Sequence, residues 1–540
     1  MQLDTTHAQA AAAPGSPEFG HASAELRPSR DSATATSRLN SKLFVALSVV
    51  VIVGFLLRLP TLVSRSVWMD EAYSYWFMTL SWADLWFKVP FYETHPPFYY
   101  SLLKLWTMLA GSSEAGMRSL SVLASLVTIA LTGFAPRLLG LGKRYDRVGI
   151  VAALLLAFNA GSIEYAQQAR PYALQTLFCT LMIVASTMLL KRMLIDERQG
   201  TVIKAQRLIY VSLGLCSGIV LWLHNTSPFI ILGNWLGLFA TILLFSRHKR
   251  YDLVVSIKAL VIALVVWSPC VPITLIESRT VATAFWATIS PNMLSWPFTL
   301  AAGGKFAFFP AIIVCALGWF QVYKAREPLA LYSAAILLAP VLGVFLASYL
   351  FTPIFVVRTF EWMAPLFLFL VALGLFVPGK MEKLKFVILP IILLLCIGQD
   401  IKYYRTPGQD LRGAAQYLAS NYKPGDLVLV YPNELEVGLH YYLTQLPNSF
   451  ELAAIPARYP AIGLPRPYFG SNKGTPTAID GDEAQIASTI AMHKRVWFVG
   501  DWNGPDGKMD VVTRELYRER GRPQSSPGFT DIKVTLFTGK

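Results

Sequence analysis

Long uncharged apolar runs separated by short polar turns fill most of the chain. Runs such as LFVALSVVVIVGFLL (43–57) and FVILPIILLLCIG (386–398) approach the roughly 20 residues that cross about 30 Å of hydrocarbon. Read in order, the runs predict eleven spanning helices near 43–63, 119–136, 148–163, 172–190, 208–223, 227–245, 253–271, 306–322, 329–351, 360–377 and 384–399. One further segment, PPFYYSLLKLWTMLAG (96–111), is apolar but is interrupted by Lys104 and is short for a span.

The basic residues decide how that segment is read. If it does not cross, then Arg137, Lys143, Arg144 and Arg147 share one side with Lys191, Arg192, Lys204 and Arg207. Arg247, Lys249, Arg250, Lys324, Arg326, Lys380, Lys383 and Lys385 fall on that same side. Every strongly basic loop is then cytoplasmic, as membrane orientation favours. The segment is therefore predicted to be an interfacial or re-entrant helix on the outer surface. The same reading places the first outer loop, 64–118, outside with 164–171, 224–226, 272–305, 352–358 and all residues beyond about 400.

After the last apolar run the periodicity changes. Helical stretches LRGAAQYLAS (411–420) and LEVGLHYYL (435–443) alternate with strand-like DLVLVY (426–431) and RVWFVG (495–500), which predicts an extracytoplasmic α/β domain over 403–540. Residues 1–41, rich in Ala, Ser, Thr and Pro without an apolar period, read as a disordered cytoplasmic leader. No cleavable signal peptide is expected there. Between them, 42–402 is an all-α membrane bundle of about eleven transmembrane helices plus outer interfacial helices.

Composition agrees: 54% of the 540 residues are hydrophobic and 15% charged, which excludes an ordinary soluble enzyme. A net charge of +14 would suit nucleic acid, but the cations cluster in loops between apolar runs, so no nucleic-acid partner is expected. The five cysteines lie in or beside apolar helices without CxxC spacing, so neither a disulfide framework nor a zinc site is implied.

Four clusters carry candidate chemistry, all on the predicted outer side. In SVWMDEAYSYW (66–76), Asp70 and Glu71 are either first-turn acids of an interfacial helix or, for Asp70, a general base. In ETHPPFYY (93–100), His95 precedes prolines suited to a helix start and reads equally as a capping residue. EYAQQARPYAL (164–174) holds Glu164, Arg170 and Tyr172; Arg170 either snorkels or grips a phosphate with its planar fork. Arg358 in FVVRTFEWMAP (355–365) and Arg58 at the outer end of the first helix are further outer arginines, and each needs an anionic partner.

Taken in order, DE after the first helix, HPP in the first outer loop, QQARPYAL and a late arginine resemble the GT-C membrane glycosyltransferases. More narrowly they resemble the family-39 group of protein O-mannosyltransferases and bacterial aminoarabinose transferases. DLRGAAQYL (410–418) and GDLVLVYP (425–432) extend the likeness into the C-terminal region. The resemblance implies an inverting transfer of a monosaccharide from a polyprenyl-phosphate donor, with Asp70 as base. By the same matching Arg170 holds the donor phosphate, with the outer arginines Arg358 and Arg58 beside it. Glu71, His95, Tyr172, Glu164 and His224, the last from WLHNTSP, are then assigned to donor or acceptor. No resident metal or other cofactor is assigned, and assistance by a divalent cation stays open. The sequence departs from the pattern at QQAR, where an acid usually precedes AR, and at RTFEW, where an Arg-Tyr pair is frequent.

The implied setting is the bacterial inner membrane, with the N-terminus cytoplasmic and the C-terminal domain periplasmic. The acceptor is left open among lipid A or its core, another envelope glycan, and protein Ser or Thr. The rival function is a transporter or flippase of a lipid-linked sugar. Transporters place ionisable groups near the bilayer midplane and show repeated halves, whereas here the candidate groups gather at one surface.

Overall fold

The computed structural model describes residues 30–194, 202–281, 288–377, 383–447, 449–468, 473–500, 509–524 and 527–539. Residues 1–45 and 46–540 form separate units. Of the leader predicted over 1–41, residues 1–29 lie outside the described residues, and the helix Arg30–Leu57 takes up the rest.

Among the described residues nine helices are long and apolar enough to cross a membrane. They are Glu114–Leu138, Tyr172–Leu194, Gln206–Leu223, Ser227–Phe245, Lys249–Arg279, Lys305–Ala325, Glu327–Leu350, Val357–Leu375 and Lys385–Arg405. The helices Lys143–Ala157 and Ala160–Ala166 meet at 62° and make a tenth crossing if the bent pair is taken as one span, and the apolar helix Ser41–Leu57 is shorter. Each predicted apolar run finds its counterpart in this set, and the chain is a multi-pass membrane protein. Segment 96–111 forms the 13-residue helix Phe98–Ala110, at about 1.5 Å per residue too short to span.

Small residues let the helices close on one another. A Cβ on Gly318 would lie 1.9 Å from the Leu370 carbonyl oxygen, and one on Gly374 would lie 2.0 Å from that of Val314. Two backbones therefore touch at this crossing, the geometry that small residues permit in membranes. The bend between Lys143–Ala157 and Ala160–Ala166 has a local cause. The Asn159 side chain accepts the Ser162 amide at 2.9 Å and starts a new helix in a new direction.

Beyond Arg405 the chain builds a five-stranded sheet from β1 (Leu427–Tyr431), β2 (Glu451–Ala454), β3 (Arg495–Gly500), β4 (Gly528–Phe529) and β5 (Ile532–Thr538), in the order β2-β1-β3-β5-β4. The β1 strand runs parallel to β2 and β3, and β5 is antiparallel to β3 and β4. Only β1 and β3 were predicted: β2 is four residues of ELAA, with weak strand propensity, and β4 has two. Alternation in β1 is decisive, because Val428 and Val430 join one core with helices Leu411–Asn421 and Leu435–Leu443. Leu427, Leu429 and Tyr431 join another with helices Glu483–Ala491 and Val511–Arg520.

The first of these cores continues into the first loop, through Val67, Tyr73, Phe77, Leu85 and Tyr99. Polar contacts hold the same seam. Gln409 accepts the Met69 amide at 2.9 Å, Tyr442 accepts the Val67 amide at 2.7 Å, and Arg412 pairs with Glu114. The C-terminal region thus packs directly on the helix Met69–Thr79, which carries Asp70 and Glu71.

Candidate active site

Asp70 and Glu71 open the helix Met69–Thr79 and, about 100° apart around it, part company. The Asp70 side chain is 22% exposed and lies 3.3 Å from an Nη of Arg358 and 3.7 Å from one of Arg170. Its Oδ2 is buried without a hydrogen-bond partner. Burial pushes the carboxyl up, but Arg170, then Arg358, outweigh it and hold its pKa below the ordinary aspartate value. Asp70 is therefore an ionised, lightly engaged carboxylate, the state a general base needs.

Glu71 faces inward. Arg118 grips it with Nε to Oε1 at 2.8 Å and Nη2 to Oε2 at 2.6 Å, and the Ala169 amide donates to the same Oε1 at 2.8 Å. The remaining Arg118 protons go to the carbonyls of Leu62, Arg65 and Ser66, so all five guanidinium N–H groups are engaged. Both side chains are buried to within 2%. The expectation that Glu71 touches substrate is thereby corrected: it is a buried anchor binding the Asp70 turn to the residue that precedes Arg170. Arg118 was not among the predicted residues, and its only signal was a lone arginine near the start of an apolar helix.

Arg170 sits between the two sides of the site. Its Nη1 donates to the Asp70 carbonyl at 3.1 Å and its Nη2 to His95 Nε2 at 3.2 Å, while its Nε is buried without a partner. Because arginine only donates, His95 Nε2 accepts, and the ring proton lies on Nδ1, facing Glu93 Oε1 at 2.7 Å. Burial first, then Arg170, hold the His95 pKa well below its usual value, so the ring is neutral. Burial pushes Glu93 up to about 7, against the pull of Arg170. Glu93 is a further group that the motif ETHPP held in view but did not single out.

His224 and Tyr172 complete the enclosure. The rings of His95 and His224 are 5.0 Å apart, and Tyr172 lies 6.0 Å from His224. The Tyr172 ring also lies 6.0 Å from both the Arg170 and the Arg358 guanidinium carbons, while its buried hydroxyl is without a partner. His224 Nδ1 accepts the Thr226 amide at 3.1 Å, which leaves its proton on Nε2. Glu164 lies partly buried in the helix Ala160–Ala166.

Arg58 is not part of this cluster. It is fully buried, donating to Ser125 Oγ at 3.0 Å, Gly54 O at 2.9 Å, Ala157 O at 3.2 Å and Ser162 Oγ at 3.0 Å. The expectation that it holds a donor phosphate is corrected on that ground: its protons are committed to internal acceptors. Among the described residues no group of three or more His, Cys, Asp or Glu side chains converges as a set of metal ligands.

The gathered arrangement is thus one part-exposed carboxylate beside two arginines, backed by a neutral histidine pair and a tyrosine. It suits removal of a proton at Asp70 next to a place where negative charge is held.

No protein-family model and no curated protein sequence matches the chain. Solved structures do resemble it. Crystal structures of ArnT from Cupriavidus metallidurans, in the apo state and bound to undecaprenyl phosphate, superpose with TM-scores of 0.59 at 12% and 14% identity. Each covers 92% of this chain and 98% of ArnT. The oligosaccharyltransferase AglB from Archaeoglobus fulgidus, in complex with an inhibitory peptide and a dolichol-phosphate, superposes with a TM-score of 0.50 at 12% identity. That match covers 84% of this chain and 69% of AglB. The fold is therefore ArnT-like, a helical bundle with a small C-terminal sheet.

Proposed function

We propose that the protein is a glycosyltransferase that moves a monosaccharide from a polyprenyl-phosphate donor to an acceptor of the bacterial cell envelope, on the periplasmic side of the inner membrane. The observation that carries this reading is Asp70 with its hydrogen-bond-free Oδ2 between Arg170 and Arg358. The ArnT complex with undecaprenyl phosphate and the AglB complex with dolichol-phosphate support the donor class. The basic loops, cytoplasmic by membrane orientation, support the sidedness.

The chemistry follows from charge. A donor phosphate arriving at the two guanidinium groups competes with Asp70 for them, since arginine binds phosphate oxygens through the same fork. As their positive charge is taken up by phosphate, the Asp70 carboxylate loses its stabilising partners and becomes more basic. Asp70 then accepts the proton of an acceptor hydroxyl or amine while that atom bonds to the anomeric carbon. The bond from that carbon to the phosphate oxygen breaks, and the electron pair leaves with polyprenyl phosphate, whose added charge Arg170 and Arg358 hold. Attack opposite the leaving group inverts the anomeric centre. His95, kept neutral, aims Arg170, and the Tyr172 ring stands 6.0 Å from each of the two guanidinium carbons.

The test is release of free polyprenyl phosphate from a panel of polyprenyl-phosphate sugars, with purified protein and host membranes as acceptor, comparing wild type with Asp70→Asn. Release by wild type and not by the variant supports the reading and identifies the sugar. Release by both removes Asp70 from the mechanism. Movement of intact donor across a vesicle membrane without release would favour transport instead.

A further inference from the structure

Arg170 Nη2 donates to His95 Nε2 at 3.2 Å, so whatever holds the His95 loop sets where the guanidinium points. In that loop, ETHPP, Pro96 and Pro97 follow His95 and offer no amide proton. The loop is therefore fixed largely by what its carbonyls accept.

The carbonyl just before His95 is held from across the site. Asn225 Nδ2 donates one proton to Thr94 O at 2.5 Å and the other to Glu277 Oε2 at 2.8 Å. The reverse amide orientation would set Oδ1 against the Thr94 oxygen, so both amide protons are committed. Glu277, on the helix Val271–Val281, is fully buried and braces the amide from the far side. A hydrogen-bond acceptor suffices for that, whether charged or neutral.

The turn that carries Asn225 is itself tied back to Arg170. The Ser227 amide donates to His224 O at 3.0 Å and closes the turn, and Gln175 Nε2 donates to Ser227 Oγ at 3.1 Å. Gln175 lies on the helix Tyr172–Leu194, which begins two residues after Arg170. The contacts thus run in a closed circuit: from Arg170 to His95, across Thr94 to Asn225, through Ser227 to Gln175, and back along the helix. His95 and His224, with rings 5.0 Å apart, are neighbours on it. Gln175, Ser227 and Glu277 are each no more than 2% exposed, so a hydrogen bond lost among them is not readily replaced by water.

Resting on the donor-phosphate reading of Arg170, we infer that Asn225, braced by Glu277, is a positioning residue that locks the His95 loop to the helix behind Arg170. It thereby holds the Arg170 guanidinium at the donor phosphate. Asn225 acts through His95 and not by contact with substrate.

Two measurements test this. The first is hydrogen exchange on purified full-length protein without added lipid. Asn225→Leu and Glu277→Leu both raise exchange across 92–95 and 226–229, while Glu277→Gln, which keeps an acceptor, leaves both segments as in wild type. Unchanged exchange in Asn225→Leu, or equal effects of Glu277→Gln and Glu277→Leu, overturns the inference. Should Asn225→Leu not fold, Asn225→Ser, too short to bridge the two oxygens, is read by the same criterion.

The second is affinity for undecaprenyl phosphate in a double-mutant cycle with His95→Ala. Asn225→Leu weakens binding about 10-fold in the wild-type background, the scale of a lost buried hydrogen bond. It weakens binding less than about 2-fold when His95 is already alanine, because coupled residues are not additive. An equal factor in both backgrounds means that Asn225 does not act through His95 and overturns the inference. If wild type does not bind undecaprenyl phosphate, the donor reading fails while the exchange result still decides whether Asn225 and Glu277 hold the loop.

Discussion

Arg118→Met asks most of the site, because Arg118 touches no substrate in the mechanism above and yet should be needed for it. The substitution removes two charge-assisted hydrogen bonds to Glu71, at 2.8 and 2.6 Å, and three to the carbonyls of Leu62, Arg65 and Ser66. It leaves Glu71 charged and 1% exposed. Breaking a buried pair from one side costs about 3–5 kcal/mol. Part of this is relieved if the turn opens to water, so a local loss of about 2–4 kcal/mol is expected. Glu71 also holds the Ala169 amide, so the opening displaces Asp70 and Arg170 together. At about 1.4 kcal/mol per tenfold, transfer should fall by roughly 30- to 1,000-fold. The assay is release of polyprenyl phosphate, run with hydrogen exchange over 66–72 and 167–171. Near-wild-type turnover would refute the reasoning, and so would lost turnover with unchanged exchange at Ala169, since Arg118 would then act by another route.

Four further outcomes are expected. Asp70→Asn should lower transfer by about 10²–10⁴-fold while changing undecaprenyl phosphate affinity only a few-fold; a collapse of affinity would make Asp70 a donor ligand instead. Arg170→Ala should raise the Michaelis constant for the donor more than that for the acceptor, and equal donor constants in variant and wild type would count against its phosphate role. Glu93 carries a folded-state pKa of about 7, above the ordinary glutamate value near 4.3. Its neutral form therefore contributes stability that is full below about pH 4.3 and lost as pH rises through about 7. Glu93→Gln should flatten the fall of melting temperature across that window, and an unaltered profile would contradict it. A single cysteine at Gln168 should react with an impermeant maleimide from the periplasmic side and one at Arg144 should not, with Cys179, Cys270, Cys315 and Cys396 buried and quiet; the reverse pattern would invert the topology.

The sequence alone determined the spanning helices. Apolar runs of spanning length are a one-dimensional signal, since the bilayer demands that each helix satisfy its own backbone, and the structure returned them in order. The shortness of 96–111 was likewise visible, because crossing depends on length and charge within the segment. The residues DE, His95, Arg170, Tyr172 and Arg358 could be named because polar groups beside apolar runs need a reason, and His224 came only through the family resemblance. Adjacency in the chain, however, does not say where a side chain points. Asp70 and Glu71 look equivalent as letters. What separates them is Arg118, 47 residues beyond Glu71, which buries one acid and leaves the other beside two arginines. Arg58 and Arg358 look alike as outer arginines, but the bent helix pair folds Ala157 and Ser162 around one, while the other, on the 3₁₀ helix Val357–Met363, reaches Asp70. Ion pairs and short strands such as ELAA at β2 are settled by partners distant in sequence, which no local pattern carries.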